Sequence, residues 1–314
     1  MENKTFNADM LNLEGLKVSP DASIPVFTFL LLTYIFIMVS NISLIILISL
    51  EKSLHQPMYL LFCNMIVNDV FEATAIIPPL LSQVFVPITD RYIHYVNCVI
   101  QAFLAHFHLG AAQTVLMIMA FDRYVAICKP LSYSTIMTNR MVVKLSVSAW
   151  IVPVVMVSIL LGLSIRLSRC RQVIFNPFCD NASLFKLSCE SVLINQIYGI
   201  GYTVVILGSS LGSITLTYVK IAAVCLSRKK KVLNSRALQT CASHLTLYFV
   251  MLVLGMVMVA LHRFPDLSEQ QKIASIVLHV IPPALDPVIY GVQIQMVRQK
   301  LFSYLRVLRR KHVK

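Results

Sequence analysis

Seven stretches of this sequence are each long and apolar enough to cross a lipid bilayer, and this limits the fold more than any other feature. A bilayer core about 30 Å thick needs about 20 consecutive, mostly apolar residues in a helix. The chain has 314 residues, of which 57% are hydrophobic and 13% charged, whereas soluble domains carry about 25% charged residues. Because backbone groups in lipid must be hydrogen-bonded within the segment, each span is predicted to be helical. The predicted spans are Pro25–Leu50, Pro57–Phe85, Cys98–Cys128, Val142–Ile165, Gln196–Leu226, Ala237–Leu261 and Ile273–Ile294.

The predicted fold is therefore an all-α membrane protein, a bundle of seven transmembrane helices. Residues 1–24 are expected to form an outer N-terminal segment and residues 25–294 the seven-helix domain. Residues 295–314 form a tail, of which Gln295 to Leu308 reads as a short basic amphipathic helix on the membrane surface. The first two dozen residues are polar and acidic, unlike a cleaved signal peptide, so the first span is expected to act as an uncleaved signal anchor.

Charge predicts the orientation of the chain. The net charge is +13, and a basic run lies at Arg228 to Lys231, between the fifth and sixth spans. Cytoplasmic loops carry the excess of Lys and Arg, so the N terminus is predicted outside and the C terminus in the cytoplasm. The basic surface is interpreted as this topological signal, which also attracts anionic membrane lipid, and not as a nucleic-acid interface.

The eight cysteines divide between two compartments. Four are predicted to lie on the outer, oxidising side, where three pairings are open; they are Cys98, Cys170, Cys179 and Cys189. The other four lie in spans or near the cytoplasm and are expected to be buried thiols, not metal ligands. Glycosylation sequons at Asn3 and Asn181 fall on the predicted outer side, while the sequon at Asn41 lies inside a span and is expected to stay unmodified.

One charged pair stands at the inner end of the third span. Residues 119–131 read MAFDRYVAICKPL, which puts Asp122 beside Arg123. Arginine stays protonated and presents a planar fork of donors, and the adjacent acid neutralises it. We interpret the pair as a switch, since separating the helices would free the arginine for a partner inside the cell. The alternative is an arginine that reaches water from a helix end.

Several such strings together resemble the vertebrate odorant receptors, a branch of the rhodopsin-like G-protein-coupled receptors. PMYL at 57–60, RALQTCASHL at 236–245 and PPALDPVIYG at 282–291 are similar to signatures of the second, sixth and seventh helices. The resemblance implies a plasma-membrane receptor that binds a small odorant and activates the olfactory stimulatory heterotrimeric G protein, raising cyclic AMP. It assigns the switch to Asp122, Arg123, Tyr124 and Tyr290, and the disulfides to Cys98–Cys179 and Cys170–Cys189.

The chain also departs from the family pattern. Asp286 stands where the family usually has Asn, and residues 251–253 stand where Phe-Tyr-Gly is usual. The string LHRF at 261–264 resembles the fish-like, class I subgroup, which is associated with water-soluble odorants including carboxylic acids. Arg263 is then expected to hold an anionic group through a bidentate hydrogen bond; the alternative is an exposed interfacial arginine.

Three acids inside spans are functional candidates by default. Glu72 lies three residues after Asp69, so both share a helix face, and the resemblance places Asp69 in a watery cavity beside Asn41 and Asp286. Carboxylates facing one cavity do not all ionise cheaply, so we expect either a shared proton or a sodium ion at Asp69. The alternative is carboxyl groups that merely accept hydrogen bonds from neighbouring helices. No other metal and no cofactor is expected.

The odorant pocket is expected between the third, fifth, sixth and seventh spans, under the second outer loop. Apolar lining suits small ligands held by burial; ordinary helix packing is the alternative for each residue. The absence of an acid at Ala105 disfavours a cationic amine. The candidate residues are Ala105, His106, Leu109, Gly110 and Gln113 on the third helix and Leu252, Gly255, Met256, Val259 and Arg263 on the sixth.

Other functions are less well supported. No nucleophile–base pair, phosphate-binding loop or dinucleotide fingerprint occurs, so the chain is not expected to be an enzyme. A rhodopsin-like receptor for a peptide or lipid would leave the fold unchanged, because no motif encodes the ligand. A transporter is disfavoured, since paired inverted repeats are not found and seven spans do not divide into two equal halves.

Overall fold

A computed structural model describes residues 9–227, 231–261 and 264–293, without the side chains of residues 231–240, 265 and 291–293. The prediction of seven spans is confirmed, since seven helices in these ranges are long and apolar enough to cross a membrane. They are α1 Pro20–Leu50, α2 Pro57–Val84, α3 Tyr95–Cys128, α4 Asn139–Ile165, α5 Leu193–Ser227, α6 Lys231–Leu261 and α7 Ser268–Gln293. The amphipathic helix predicted at Gln295 to Leu308 lies outside the described residues.

Most helices begin earlier than their apolar spans, because polar capping residues start them outside the predicted membrane core. Helix α1 begins at Pro20, where a proline is favoured because the first turn needs no backbone N–H. The side chain of Thr138 accepts a hydrogen bond from the Met141 amide at the start of α4, a usual N-terminal cap. Hydropathy therefore marks the membrane crossing, whereas the helix itself continues beyond it.

Helix α3 forms the centre of the bundle and packs against α2, α4, α5 and α6. Two hydrogen bonds fix α4 in place: Thr114 donates to the Ala149 carbonyl at 2.8 Å, and Trp150 donates to the Asn64 side chain at 2.9 Å. Apolar side chains fill the space between these contacts. The largest core cluster lies in the half of the bundle that contains the inner end of α3.

A three-stranded sheet covers the other end. Its strands are β1 Met10–Leu13, β2 Tyr92–His94 and β3 Val173–Ile174, in the order β2-β1-β3. Strand β1 is antiparallel to β2 and parallel to β3, and both of its leucines are buried. We call this sheet, together with residues 166–192 between α4 and α5, the lid. The lid end and the opposite end are called outer and inner after the orientation predicted from the charge distribution.

The chain after β1 is held by a buried arginine. Arg91 is 7% exposed, and its guanidinium donates to the carbonyls of Val86, Glu14 and Leu16 at 2.8, 2.9 and 3.0 Å. Gly15 between them has a φ of +62°, a conformation that glycine adopts at no steric cost. The segment predicted as a polar outer extension thus contains a strand that is integral to the lid.

Candidate functional site

The predicted switch residues Asp122 and Arg123 are in contact at the inner end of α3. Arg123 Nε donates to Asp122 Oδ2 at 2.9 Å, and Nη2 approaches the same oxygen. Tyr133, in the short helix Tyr133–Ile136, donates to Asp122 Oδ1 at 2.8 Å. Burial, and then the negative charge of Asp122, raises the pKa of Tyr133, so this hydroxyl keeps its proton. Both oxygens of the buried carboxylate are therefore bound, and the pair is closed.

A histidine that the sequence analysis did not single out links three helices near this pair. His244 of α6 lies 2.9 Å from the Leu116 carbonyl of α3 through Nε2, and 2.9 Å from the Tyr218 hydroxyl of α5 through Nδ1. Because a carbonyl only accepts, Nε2 carries the proton and Nδ1 accepts from Tyr218. The signal in the sequence was a lone histidine within an apolar helix.

The other two predicted switch residues, Tyr124 and Tyr290, contact different helices. Tyr124 is half-buried, and Lys220 of α5 lies 5.8 Å from its ring centroid, within the range of a cation–π contact. Tyr290 is 1% exposed and stacks on Phe62 of α2 with 3.8 Å between ring centroids. It thus belongs to the contact between α2 and α7.

That contact, the α2–α7 interface, includes three side-chain pairs: Phe62–Tyr290, Asp69–Asp286 and Glu72–His279. In the middle pair, the carboxyl groups of Asp69 and Asp286 lie close enough to interact electrostatically. Each residue is at most 2% exposed. Because two carboxylates have no proton to donate, such a contact needs a proton or a cation between them.

Asn41 of α1 supports the same region of α7. Its amide donates to the carbonyls of Ile37 at 2.9 Å and Pro283 at 3.1 Å. The Pro283 carbonyl lacks the usual helical partner, since the residue four positions later is Pro287, which has no N–H. Asn41 therefore satisfies an acceptor that the proline-rich sequence of α7 leaves open.

Glu72 has a further partner besides the other two acids, and it also lies close enough to Asp69 to act on it electrostatically. Its carboxylate forms an ion pair with Nδ1 of His279, nearer the lid. The two residues are 1% and 5% exposed. When its ring is protonated, His279 supplies the cation that a second buried acid needs. Sequence reasoning missed it because no motif marks a single histidine in α7.

Several contacts hold the lid over α2, α3 and α7. Disulfides join Cys98 to Cys179 and Cys170 to Cys189, the two pairs that the resemblance implies. Gln101 of α3 accepts from the Cys179 amide at 2.9 Å, and Gln83 of α2 donates to the Pro177 carbonyl at 3.0 Å. Between these points, the Phe178 ring packs edge-on against His279 with centroids 4.9 Å apart.

The pocket residues predicted on α3 face more than one direction. His106 accepts from the Asn181 amide of the lid at 3.0 Å, and its carbonyl accepts from Tyr202 of α5 at 3.0 Å. A Cβ on Gly110 would come within 2.6 Å of the Tyr202 hydroxyl and 2.9 Å of Pro153. His106 and Gly110 thus face α4 and α5 under the lid.

The remaining α3 residues lie elsewhere on the helix. Ala105 is buried in a cluster with residues of α1, α2 and α7. Gln113 is buried and Leu109 is half-buried. The five predicted residues therefore do not line one common wall.

The orientation predicted for α6 is also corrected. Met256 and Val259 are 56% and 44% exposed, so they point away from the packed side of the helix. Leu252 lines an apolar groove of about 470 Å³ between α5 and α6, and Gly255 is half-buried. The packed face instead carries the buried residues His244, Leu247, Tyr248 and Met251. Residues 250–261 are all apolar or glycine, so hydrophobic spacing does not identify a single face.

The expected glycosylation of Asn181 is contradicted by its position. Asn181 is 5% exposed, and its side-chain oxygen accepts from Ser164 at 2.7 Å. Ser164 in turn accepts from Asn195 of α5 at 3.0 Å, so this sequon lies in a buried hydrogen-bond network. A glycan needs an accessible amide nitrogen. Asn3 and Arg263 lie outside the described residues.

No group of three or more His, Cys, Asp or Glu residues suited to a metal ion occurs in the part of the chain that the structure describes. A sodium ion at Asp69 would instead rely on the Asp69–Asp286 pair and backbone or hydroxyl oxygens. This ion remains a prediction.

A sequence model of the olfactory receptor family matches residues 30–308. The chain belongs to the olfactory receptor family. Human olfactory receptor 56A5 is 36% identical over 282 residues, covering 88% of this chain and 89% of that protein. Human olfactory receptors 52N5 and 51E1 are 31% and 30% identical, each over 87% of this chain and 85% and 86% of their own lengths.

This olfactory receptor is thus a multi-pass G-protein-coupled receptor for odorants in the plasma membrane. Coupling to a G protein and to cyclic AMP is general for the family. The family is one of receptors and not of enzymes. Membership in a family of G-protein-coupled receptors also decides against the transporter.

Proposed function

We propose that this olfactory receptor raises cyclic AMP through the stimulatory G protein when an odorant opens the Asp122–Arg123–Tyr133 cluster. One observation carries the proposal: both oxygens of the buried Asp122 carboxylate are bound, one by Arg123 and the other by Tyr133. In the closed cluster, the guanidinium donors that face Asp122 are unavailable to a partner. Separating the helices would direct them toward the carbonyl groups of an inserted G-protein helix.

The orientation that this mechanism needs has the lid outside and the cluster in the cytoplasm. Two disulfides lie at the lid end, and disulfides persist in oxidising compartments. The basic residues Lys129, Arg140 and Lys144 are near the other end of the bundle, as the distribution of positive charge on cytoplasmic loops requires. The same bases would contact anionic lipid of the inner leaflet.

The odorant would bind under the lid and shift the receptor toward its active state by binding that state more tightly. His106, which contacts the lid directly, is the α3 residue best placed to contact the odorant. For carboxylic acids, Arg263 would supply a bidentate anchor. The receptor needs no cofactor for this cycle.

A cyclic AMP assay tests the proposal. Cells that express the receptor are exposed to separate mixtures of acids, alcohols, aldehydes and amines, and surface receptor is counted by an antibody to an outer tag. We expect a response to at least one mixture and its loss in Arg123→Ala at equal surface abundance. A response that Arg123→Ala retains in full would refute the switch.

A separate experiment tests Arg263 as the residue that anchors anionic odorants. Arg263→Ala should lose responses to acids and keep responses to neutral odorants. Arg171→Ala, at another outer arginine, serves as the matched control. Equal loss of both odorant classes would refute a role in recognising the acid group.

The Asp69–Asp286 pair is proposed to hold either a shared proton or a sodium ion. These alternatives predict different salt dependence. With a sodium ion, ligand-independent cyclic AMP falls as sodium replaces choline, and Asp286→Asn weakens this dependence. With a shared proton, neither form responds to sodium.

A further inference from the structure

The α2–α7 interface aligns three pairs of residues along the two helices. His279, Asp286 and Tyr290 are seven and four residues apart, and this spacing places them on one face of α7. Their partners on α2, Glu72, Asp69 and Phe62, are three and seven residues apart, which also places them on one face of that helix. The interface therefore has an ionic outer layer, an acidic middle layer and an aromatic inner layer.

The outer layer, the Glu72–His279 pair, sets the register of α2 and α7 most strongly. The side chains of Glu72 and His279 are 0% and 6% exposed. A charge inside the membrane-spanning part of a protein is costly unless it is paired, and removing one member leaves the other buried without compensation. A relative shift of α2 and α7 would separate these charges, so the pair opposes such a shift.

The lid touches this layer directly. Phe178 packs edge-on against the His279 ring, with centroids 4.9 Å apart. The neighbours of Phe178 are fixed on both sides, Pro177 by Gln83 and Cys179 by Gln101 and the disulfide to Cys98. Movement of the lid relative to α2 and α3 therefore displaces the aromatic ring that covers His279.

We infer that Glu72 and His279 are positioning residues that transmit the state of the lid to the inner layers of the α2–α7 interface. With the lid closed, the ion pair holds α7 against α2, and the Asp69–Asp286 and Phe62–Tyr290 contacts are kept in register. A ligand that moves Phe178 loosens the pair and releases this register. The test by cyclic AMP rests on the proposed coupling to the stimulatory G protein. The test by thermal unfolding does not.

Charge reversal separates an ionic role from general packing. Glu72→Gln and His279→Asn each remove one charge, whereas the double variant Glu72→His with His279→Glu restores an opposite pair. The first readout is the Tm of the receptor in detergent, followed with a thiol-reactive dye that reaches the free cysteines Cys63 and Cys241 on unfolding. We expect each single variant to lower Tm by about 5 °C and the reversal to recover most of this loss.

The second readout is ligand-independent cyclic AMP per receptor at the cell surface. The single variants should raise it about fivefold, and the reversal should return it toward the wild-type level. Variants retained inside the cell are assayed in isolated membranes by nucleotide exchange on an added G protein.

The contact with the lid is tested by a double-mutant cycle. Phe178→Ala should raise ligand-independent signalling in the wild-type background but add nothing in the His279→Asn background, because the two changes act on one contact. Ile174→Ala, at another buried lid residue, is the control and should give additive effects.

The outcomes that contradict the inference differ from failure of the proposed coupling. Equal Tm for the wild type and both single variants would show that the ion pair does not form, whatever the receptor activates. A Tm loss that the reversal rescues, with signalling unchanged in every variant, would overturn the positioning role. A receptor that raises no cyclic AMP with any odorant would refute the coupling and leave the Tm comparison intact.

Discussion

The side of the bundle that contains α2, α3 and α7 is held together differently from the side that contains α5 and α6. In apolar 18-residue segments of α3, α2 and α7, 67%, 56% and 50% of the residues are buried, against 22% in both α5 and α6. The first side joins its helices through polar pairs such as Glu72–His279 and Asp69–Asp286. The second side has an apolar groove of about 470 Å³ between its helices.

This difference indicates which helices are free to move. A buried polar pair has one favourable geometry, and sliding the helices leaves both members without a partner. Apolar side chains in lipid lose little when helices separate, because lipid tails are as apolar as they are. We therefore expect α5 and α6 to separate more readily from each other, whereas α2, α3 and α7 keep their register until a ligand moves Phe178.

The largest expected difference between the two sides is in the change of stability when a glycine is replaced by alanine. Gly110→Ala places a Cβ within 2.6 Å of the Tyr202 hydroxyl and 2.9 Å of Pro153, so helices must shift, at a cost of about 1–3 kcal/mol. At Gly255 of α6 a Cβ meets nothing within 4 Å, and alanine should stabilise the helix by about 0.5–1 kcal/mol. Thermal unfolding of both variants measures this contrast. Equal Tm changes would contradict the comparison.

The next effect sharpens the role of the closed switch. Asp122→Asn removes the charge that holds Arg123 and weakens the hydrogen bond from Tyr133. Hydrogen bonds to charged groups contribute about 1.5–3 kcal/mol, so ligand-independent cyclic AMP should rise about tenfold. Tyr133→Phe, which leaves the charge in place, should give a smaller rise. Equal effects of the two variants would argue against the ion pair as the main contact.

A smaller effect is expected where α5 and α6 contact each other. Tyr218→Phe removes the hydrogen bond to His244, worth about 0.5–1.5 kcal/mol, and should raise ligand-independent signalling about threefold. Ser210→Ala removes the longer contact with Tyr248, at 3.3 Å, and is the matched control on the same helix. A larger effect of Ser210→Ala would place the main α5–α6 contact nearer the lid.

The smallest expected effect is a pH-dependent change in the stability of the segment after β1. A hydrogen bond from Lys17 holds the pKa of Glu14 below its usual value of 4.5. Since the folded pKa is depressed, the stabilisation of the segment after β1 is complete above pH 4.5 and is lost as the pH falls through the folded pKa. Lys17 is 57% exposed and solvent screens its interaction with Glu14, so the change is below about 1 kcal/mol. Amide exchange of β1 between pH 6 and pH 3 measures it, and Glu14→Gln should remove this pH dependence.

The sequence predicted best those features that depend on a polar residue in apolar surroundings. Asp69, Asp122 and Asp286 could be identified as buried functional candidates because an acid in a membrane helix needs a partner. Their partners were harder to find. Asp286 was placed near Asp69 only by family resemblance, and His279 was missed because no spacing links it to Glu72.

An apolar sequence gives less information about which face of a helix packs against the bundle. Residues 250–261 of α6 are apolar or glycine throughout, so the face that packs is chosen by neighbouring helices and not by hydrophobic spacing. Met256 and Val259 were assigned to the wrong face for this reason. Likewise, four residues of β1 are too few to establish a strand, which depends on pairing with segments far away in the chain.

The central position of β1 in the lid has a consequence for biosynthesis. The ribosome makes this strand before any transmembrane helix, yet β3, which completes its pairing, is made only after α4. Its backbone groups must therefore remain unpaired on one side while four helices are inserted. A chain in which one of those helices fails to cross delivers β3 to the side of the membrane opposite β1. Completion of the sheet thus reports that the first half of the protein has been threaded correctly.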